Sequence, residues 1–267
     1  MSKAQSVSPE GEAFPLPGDE EYGPEYERLE QLVEGARAQG QEIVVVMGVG
    51  FVGAVMAAIV ADTTDDDGKP TKFVIGCQRP STRSYWKIPL LSRGESPVKA
   101  EDPQVDVLIE RCVKQQKNLV ATYNSDCLKL ADCVVVDVQC DYTKHDLGNM
   151  RTGQAEMAAL EATLKTIGQK MRPECLVLIE TTVAPGTTEF VGWPILKKAF
   201  AHRGIDAEPL LAHSFERVMP GREYVSSIRD MWRVCSGCDA EARGRVEKFL
   251  TEVLNTEDFP LTVMDRP

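Results

Sequence analysis

The run Glu42-Ile43-Val44-Val45-Val46-Met47-Gly48-Val49-Gly50-Phe51-Val52-Gly53, continued by Ala54 to Val60, constrains the fold more than any other part of the chain. β-Branched residues form a strand that enters a turn with glycines spaced G-x-G-x-x-G, and an apolar, alanine-rich helix leaves it. Gly48 permits the sharp turn, Gly50 lets backbone approach a pyrophosphate with no Cβ in the way, and Gly53 lets the helix lie close on the strand. The unpaired N–H groups and positive dipole end of the helix then face the phosphates. Gly48, Val49, Gly50, Phe51, Val52 and Gly53 are therefore predicted to line a dinucleotide site. The plainer alternative is a glycine-rich turn inside an ordinary buried strand-helix unit.

The rest of the chain is consistent with that start. Residues 1–24, rich in Pro, Gly, Glu and Ser, are expected to form a flexible leader that buries little. The segment Glu25 to Gly40 reads as an amphipathic helix, and residues 25–267 as one domain. From Glu42 onward strands and helices alternate: a strand at Glu42–Met47, a helix to about Asp62, an acidic loop, and a strand at Lys72–Gln78. Further buried strands are expected at Cys133–Gln139, Glu174–Thr182 and Ala207–His213, with a helix over 152–171 that carries Met157, Leu160, Leu164 and Ile167 on one face. This alternation predicts an α/β fold, a Rossmann-like doubly wound, mostly parallel sheet with helices on both faces. Ligands bind along the carboxyl edge of such a sheet.

Composition removes several classes of function. A net charge of −11 argues against a general nucleic-acid binder, which needs clustered Lys and Arg. No apolar run reaches the ~18 residues of a membrane span, and the first residues lack the apolar stretch of a signal peptide, so a cytoplasmic location is expected. The eight cysteines are scattered through apolar segments, which suits reduced, buried thiols. Cys235 and Cys238 have C-x-x-C spacing without a second ligand pair nearby, so no metal site is expected.

Candidate binding residues stand at the strand ends. The second strand ends in Gln78 and Arg79, where this fold usually places a carboxylate for the ribose hydroxyl. Gln78 still offers a hydrogen bond to that hydroxyl. Arg79 either meets a 2′-phosphate or points into solvent, so both NAD and NADP stay open at this point. Ile179 to Glu189 (IETTVAPGTTE) ends a strand in paired threonines, turns through Pro185-Gly186 and opens a helix at Thr187 or Thr188, an N-cap residue type. Ala212 to Tyr224 (AHSFERVMPGREY) ends the next strand in Glu216 and Arg217. Hydroxyls at Thr181 and Thr182, one acid and one guanidinium are thus predicted at the ligand edge.

In this order, GVGFVG, ADCVVVDVQ, a long helix, ETTVAPGTTE and SFERVMPG resemble the UDP-glucose/GDP-mannose dehydrogenase family, the nucleotide-sugar 6-dehydrogenases. The likeness runs from about residue 42 to the end, and the ERVMPGR segment is most similar to the branch acting on N-acetylated UDP-hexosamines. The resemblance implies NAD as cofactor, a nucleotide-sugar substrate, and a homo-oligomer in the full-length form. It further implies two successive hydride transfers from C6 of the sugar through a cysteine-bound thiohemiacetal and thioester. It gives Thr182 the ordering of a catalytic water and Glu216 the general base, and it matches Thr122 to a cofactor-contacting threonine after the third strand. Phe215 stands where the family usually has proline, and Gln139-Cys140-Asp141 where it has a small or prolyl cluster.

Beyond the sequence shown, the resemblance implies a connecting helix, a glycine-flanked nucleophilic cysteine and a second α/β domain. The chain alone is accordingly expected to be inactive and to associate through an uncovered apolar face. A non-catalytic dinucleotide-binding or regulatory module is the alternative, motivated by the altered loop residues and the missing nucleophile. A hydroxy-acid dehydrogenase using His145, His202 or His213 ranks below both.

Overall fold

The computed structural model describes residues 4–144, 146 and 153–265; His145, and Thr152 at the start of the expected helix, lie outside these. In chain order the elements are β1 (Gln5–Val7), β2 (Ala13–Pro15), α1 (Tyr22–Ala38), β3 (Glu42–Met47), α2 (Phe51–Ala61), β4 (Lys72–Cys77), α3 (Lys87–Ser92) and α4 (Gln104–Glu110). They continue with β5 (Leu119–Thr122), β6 (Cys133–Val136), β7 (Asp141–Lys144), β8 (Gly153–Glu156), α5 (Ala158–Lys170) and β9 (Leu176–Ile179). The series closes with α6 (Trp193–His202), β10 (Leu211–His213), α7 (Tyr224–Arg229), β11 (Val234–Gly237), α8 (Ala240–Val253) and β12 (Thr262–Met264).

Among the described residues, eight strands form one sheet in the order β12-β11-β10-β9-β6-β3-β4-β5. All neighbours from β5 to β10 are parallel. At the far side β11 runs antiparallel to β10, and β12 parallel to β11. Counted from β3, the six parallel strands stand in the spatial order 3-2-1-4-5-6, the doubly wound arrangement predicted. The winding reverses between β3 and β6, which opens a crevice above their carboxyl ends.

The sheet has a core on each face. Val44 and Val46 of β3 pack into one cluster, and Ile43, Val45 and Met47 into the other. Covered on both sides, this strand reads as an unbroken apolar run rather than an alternation. Residues Gly53 to Ala61 of α2 are all buried, because the helix is enclosed by the sheet, α4 and α7. A helix apolar all round has no solvent face to offer. On the opposite face α5 buries Leu160, Leu164 and Ile167.

Two expectations meet a different arrangement. The leader over residues 1–24 contains an antiparallel hairpin, β1 with β2, and α1 already begins at Tyr22. Polar contacts hold this hairpin: the fully buried Ser6 accepts the Trp86 N–H at 3.2 Å, and Glu12 takes both guanidinium nitrogens of Arg93 at 2.8 Å. Its composition therefore gave no hydrophobic signal. The helix expected over 152–171 is a strand and then a helix. Gly153–Glu156 pairs with Asp141–Lys144 as a hairpin, and α5 starts only at Ala158. Seven of the eight cysteines are buried and Cys140 is half-buried. Among the described residues no helix is long and apolar enough to cross a membrane.

Candidate functional site

The glycine turn is built by contact with β6. Gly48 has φ +100°, and a Cβ there would stand 2.7 Å from the carbonyl oxygen of Asp137. At Gly53 a Cβ would meet the Gly48 carbonyl oxygen at 1.9 Å and the Asp137 Cβ at 3.0 Å. At Gly50 only the Lys87 Nζ comes near, at 3.9 Å. Two glycines thus close the turn on itself and its neighbour strand, and the third leaves the backbone open to a ligand. That is the cradle a pyrophosphate needs at the start of α2, so the residues fit a dinucleotide.

Supports converge on the same turn. The Tyr224 hydroxyl donates to the Phe51 carbonyl, and its ring stacks on Phe51 with centroids 4.9 Å apart and planes 27° apart. This fixes α7 against the first turn of α2. Lys87, on α3, is half-buried, and burial lowers the pKa of its ammonium group. Among the described residues no carboxylate pairs with it; its neighbour is the Trp86 ring, 5.7 Å away. A cation left unpaired beside the open glycine is placed to meet a phosphate.

On the β4 side, Gln78 is half-buried, its backbone N–H donates to the Thr122 carbonyl at 3.0 Å, and its side chain reaches the Ser84 hydroxyl at 3.4 Å. Arg79 is exposed. The Thr122 side chain is engaged elsewhere. It is fully buried, donates its hydroxyl to Glu25 of α1 at 2.6 Å and accepts the Asn124 N–H at 3.1 Å. In this structure the hydroxyl matched by resemblance to a cofactor contact is instead engaged with the amino-terminal helix.

Past the switch point the strand ends gather carboxyl groups. Thr182, exposed, donates to Glu216 Oε2 at 3.1 Å, so the two residues given chemistry by the resemblance are in contact. Thr181 points elsewhere, bonding the carbonyls of Val138 at 2.8 Å and Val136 at 3.1 Å, and so ties the end of β9 to the end of β6. Thr187 precedes the helical turn Thr188–Gly192, but its side chain makes no cap hydrogen bond. Desolvation pushes the Glu216 carboxyl above its ordinary range, opposed by the Thr182 hydrogen bond. The guanidinium of Arg217 lies over the Phe215 ring at 5.0 Å.

Three further residues join this group. Glu180 is fully buried and faces Arg233, itself 1% exposed, at 3.4 Å, while the guanidinium also donates to the Phe215 carbonyl at 2.7 Å. Burial lifts the Glu180 carboxyl to about 7 against the opposing pull of Arg233. Asp137, the first residue after β6, has both carboxylate oxygens sealed from solvent with no hydrogen-bond partner among the described residues. Burial, then Glu180 and Glu216, drive its pKa well above the carboxylate norm. The expected strands Cys133–Gln139 and Glu174–Thr182 contain Asp137 and Glu180; the strands end at Val136 and Ile179, which puts each acid first after its strand, at the ligand edge. Nothing in the sequence marked Lys87, Tyr224 or Arg233.

A doubly wound sheet, a glycine cradle at its switch point and a hydroxyl-carboxylate pair beside it define a dinucleotide-binding domain of the NAD-dependent oxidoreductase class. The chain belongs to the UDP-glucose/GDP-mannose dehydrogenase family, whose NAD binding domain matches residues 42–253. It is 27% identical over 148 residues to the UDP-N-acetyl-D-mannosamine dehydrogenase of Pyrococcus horikoshii, a match covering 55% of this chain and 32% of that protein. It is 28% identical over 144 residues to the UDP-N-acetyl-D-glucosamine 6-dehydrogenase of Pseudomonas aeruginosa, covering 53% and 32% respectively. Among solved structures, the NDP-N-acetyl-D-galactosaminuronic acid dehydrogenase of Methanosarcina mazei Go1 is similar with a TM-score of 0.71 and 30% identity, over 89% of this chain and 46% of that one. The chain thus spans less than half of each of these proteins.

Proposed function

We propose that this chain is the cofactor-binding portion of an NAD-dependent nucleotide-sugar 6-dehydrogenase, acting on an N-acetylated UDP-hexosamine and oxidising its C6 alcohol to a carboxylate. The observation that carries the reading is the Thr182–Glu216 contact beside the glycine turn. Bound NAD supplies the hydride acceptor. The turn Gly48 to Gly53 and the first N–H groups of α2 hold the pyrophosphate, Lys87 offsets its charge, and Gln78 bonds the adenosine ribose. Thr182 fixes one oxygen of Glu216 and leaves the other to accept a proton. A carboxyl raised by burial is a competent base nearer neutral pH. Two of the matched relatives are named for UDP-N-acetylhexosamines, which supports the substrate class.

The remaining assignments follow from the same reading. The cofactor domain includes the β1–β2 hairpin, which is tied to Trp86 and Arg93, together with residues 25–267; the protein works in the cytoplasm, and the full-length form is a homo-oligomer. By the family resemblance turnover needs a nucleophilic cysteine in a further portion; within this chain burial disfavours the thiolate of Cys235, its pKa pushed up to about 11, and raises that of the half-buried Cys140. The chain alone is inactive.

The test is titration of the purified chain with NADH and NADPH, followed by nicotinamide fluorescence. Saturable NADH binding with weak NADPH binding is expected. Preference for NADPH overturns the NAD assignment and makes the exposed Arg79 a phosphate reader. Binding of neither overturns the reading in favour of a module that has lost its cofactor, and oxidation of a UDP-sugar by the chain alone refutes the missing nucleophile.

A further inference from the structure

The group formed by Asp137, Glu180 and Glu216 has more carboxyl groups than partners. Three acids face one guanidinium, that of Arg233, which among the described residues pairs with only one of them, Glu180, at 3.4 Å. The oxygens of Asp137 and Oε2 of Glu180 are buried with no hydrogen bond among the described residues, although Glu180 is fully buried. Burying an ionised carboxylate without a partner is costly, so in the free chain part of this group holds protons. The elements packed around it add little positive charge. Tyr224 of α7 and Thr182 after β9 are neutral, and Arg217 after β10 lies over Phe215. Lys87 of α3 stands at Gly50, on the phosphate side of the turn, and burial lowers the pKa of His213 of β10, disfavouring its charged form.

The place of the group in the fold gives it a ligand. In a doubly wound sheet the adenosine half lies over the strands after the first turn, here β3, β4 and β5, and the second mononucleotide lies past the switch point. Asp137, Glu180 and Glu216 follow β6, β9 and β10, the strands of that second half. Asp137 also touches the glycine turn itself, through its carbonyl and its Cβ. The nicotinamide ring carries a positive charge in NAD⁺ and none in NADH.

The geometry points to a redox-state reader: the carboxyl cluster of buried Asp137 and Glu180 with half-buried Glu216 binds the oxidised nicotinamide in preference to the reduced one and releases a proton as it does so. The inference rests on the dinucleotide reading above. A cation brought to the group favours its ionised form, so NAD⁺ binding expels a proton; by reciprocity, removing that proton tightens NAD⁺. NADH brings no charge to the ring and lacks this linkage. Glu180 and Glu216 both raise the pKa of Asp137, so the proton is shared among neighbouring acids rather than fixed on one residue.

Calorimetric titration of the chain with NAD⁺ and with NADH, between pH 6 and pH 8 in two buffers of different ionisation enthalpy, tests this. NAD⁺ is expected to bind about tenfold more tightly at the upper pH, within the ordinary range of coupled sites, and to release a fraction of a proton that NADH does not. Asp137→Asn, which imitates the protonated acid in shape, is expected to reduce both the pH slope and the proton release for NAD⁺. Glu180→Gln is the second variant should the first fold poorly. Equal pH slopes for the two cofactors overturn the inference while leaving the dinucleotide reading intact. Proton release undiminished in both variants overturns the assignment to these residues, and binding of neither cofactor at any pH removes the dinucleotide reading and this inference with it.

Discussion

Substituting Glu180 by Gln should change how the stability of the fold depends on pH. In the folded chain burial lifts the Glu180 carboxyl from an ordinary 4.5 to about 7, while in the unfolded chain it titrates near the ordinary value. Between those two values the folded state holds a proton that the unfolded state has given up. Stability is therefore highest below the lower value, falls as pH rises through the window, and levels off above about 7. At about 1.4 kcal/mol per pH unit, Glu180 by itself should account for a loss of about 3 kcal/mol across it. The raised Asp137 and Glu216 carboxyls act in the same sense, whereas His213, with its pKa lowered by burial, acts in the opposite one. The difference between variant and wild type isolates the Glu180 share. Glutamine keeps an oxygen for Arg233, which also retains the Phe215 carbonyl. Guanidinium unfolding at pH 5 and pH 8 is the assay. Wild type should be the less stable at the higher pH, and Glu180→Gln should remove most of that loss. Equal pH dependence in the two proteins would refute the argument, because it would mean that Glu180 titrates alike in both states.

Gly53→Ala places a Cβ 1.9 Å from the Gly48 carbonyl oxygen, and backbone there cannot yield without moving the start of α2. It should cost about 1–3 kcal/mol, the usual range for overpacking, and abolish NADH binding, as read by thermal unfolding and fluorescence titration. Lys87→Met removes the half-buried cation beside Gly50. NADH affinity should fall about tenfold, with a flatter salt dependence and an unchanged unfolding midpoint. Thr122→Val breaks the 2.6 Å bond to Glu25 and should destabilise the chain by about 2 kcal/mol, as expected for a hydrogen bond to a charged group. A fall in NADH affinity beyond that explained by unfolding would return Thr122 to the cofactor.

Which parts of this molecule could be read from the sequence follows from the range of the forces involved. The strand run Ile43 to Val46, the glycine spacing and the apolar helix after it are local patterns with one low-energy reading, and the doubly wound sheet follows from their repetition. The ends of those strands were legible as well, so Thr182 and Glu216 were placed at one edge before their 3.1 Å contact was visible. The hairpin β1–β2 was not, because it is held by Ser6 to Trp86 and Glu12 to Arg93, pairs about 80 residues apart that leave no periodicity. The swap at the start of α5 has the same origin. Gly153 to Glu156 joins a strand only because Asp141 to Lys144 is there to pair with it. Nor could Lys87 be singled out, since its meaning depends on the open space at Gly50, which exists only once β4, α3 and the turn are assembled. The buried acids sit between these cases. Asp137 and Glu180 fall inside the expected strands, although an acid near the end of an apolar run is a local signal of an edge; their excess over Arg233 appears only when the ends of β6, β9 and β10 meet. Charge balance is a property of the assembled edge. The feature that gives this cofactor site its own chemistry was therefore the one least visible in any single segment.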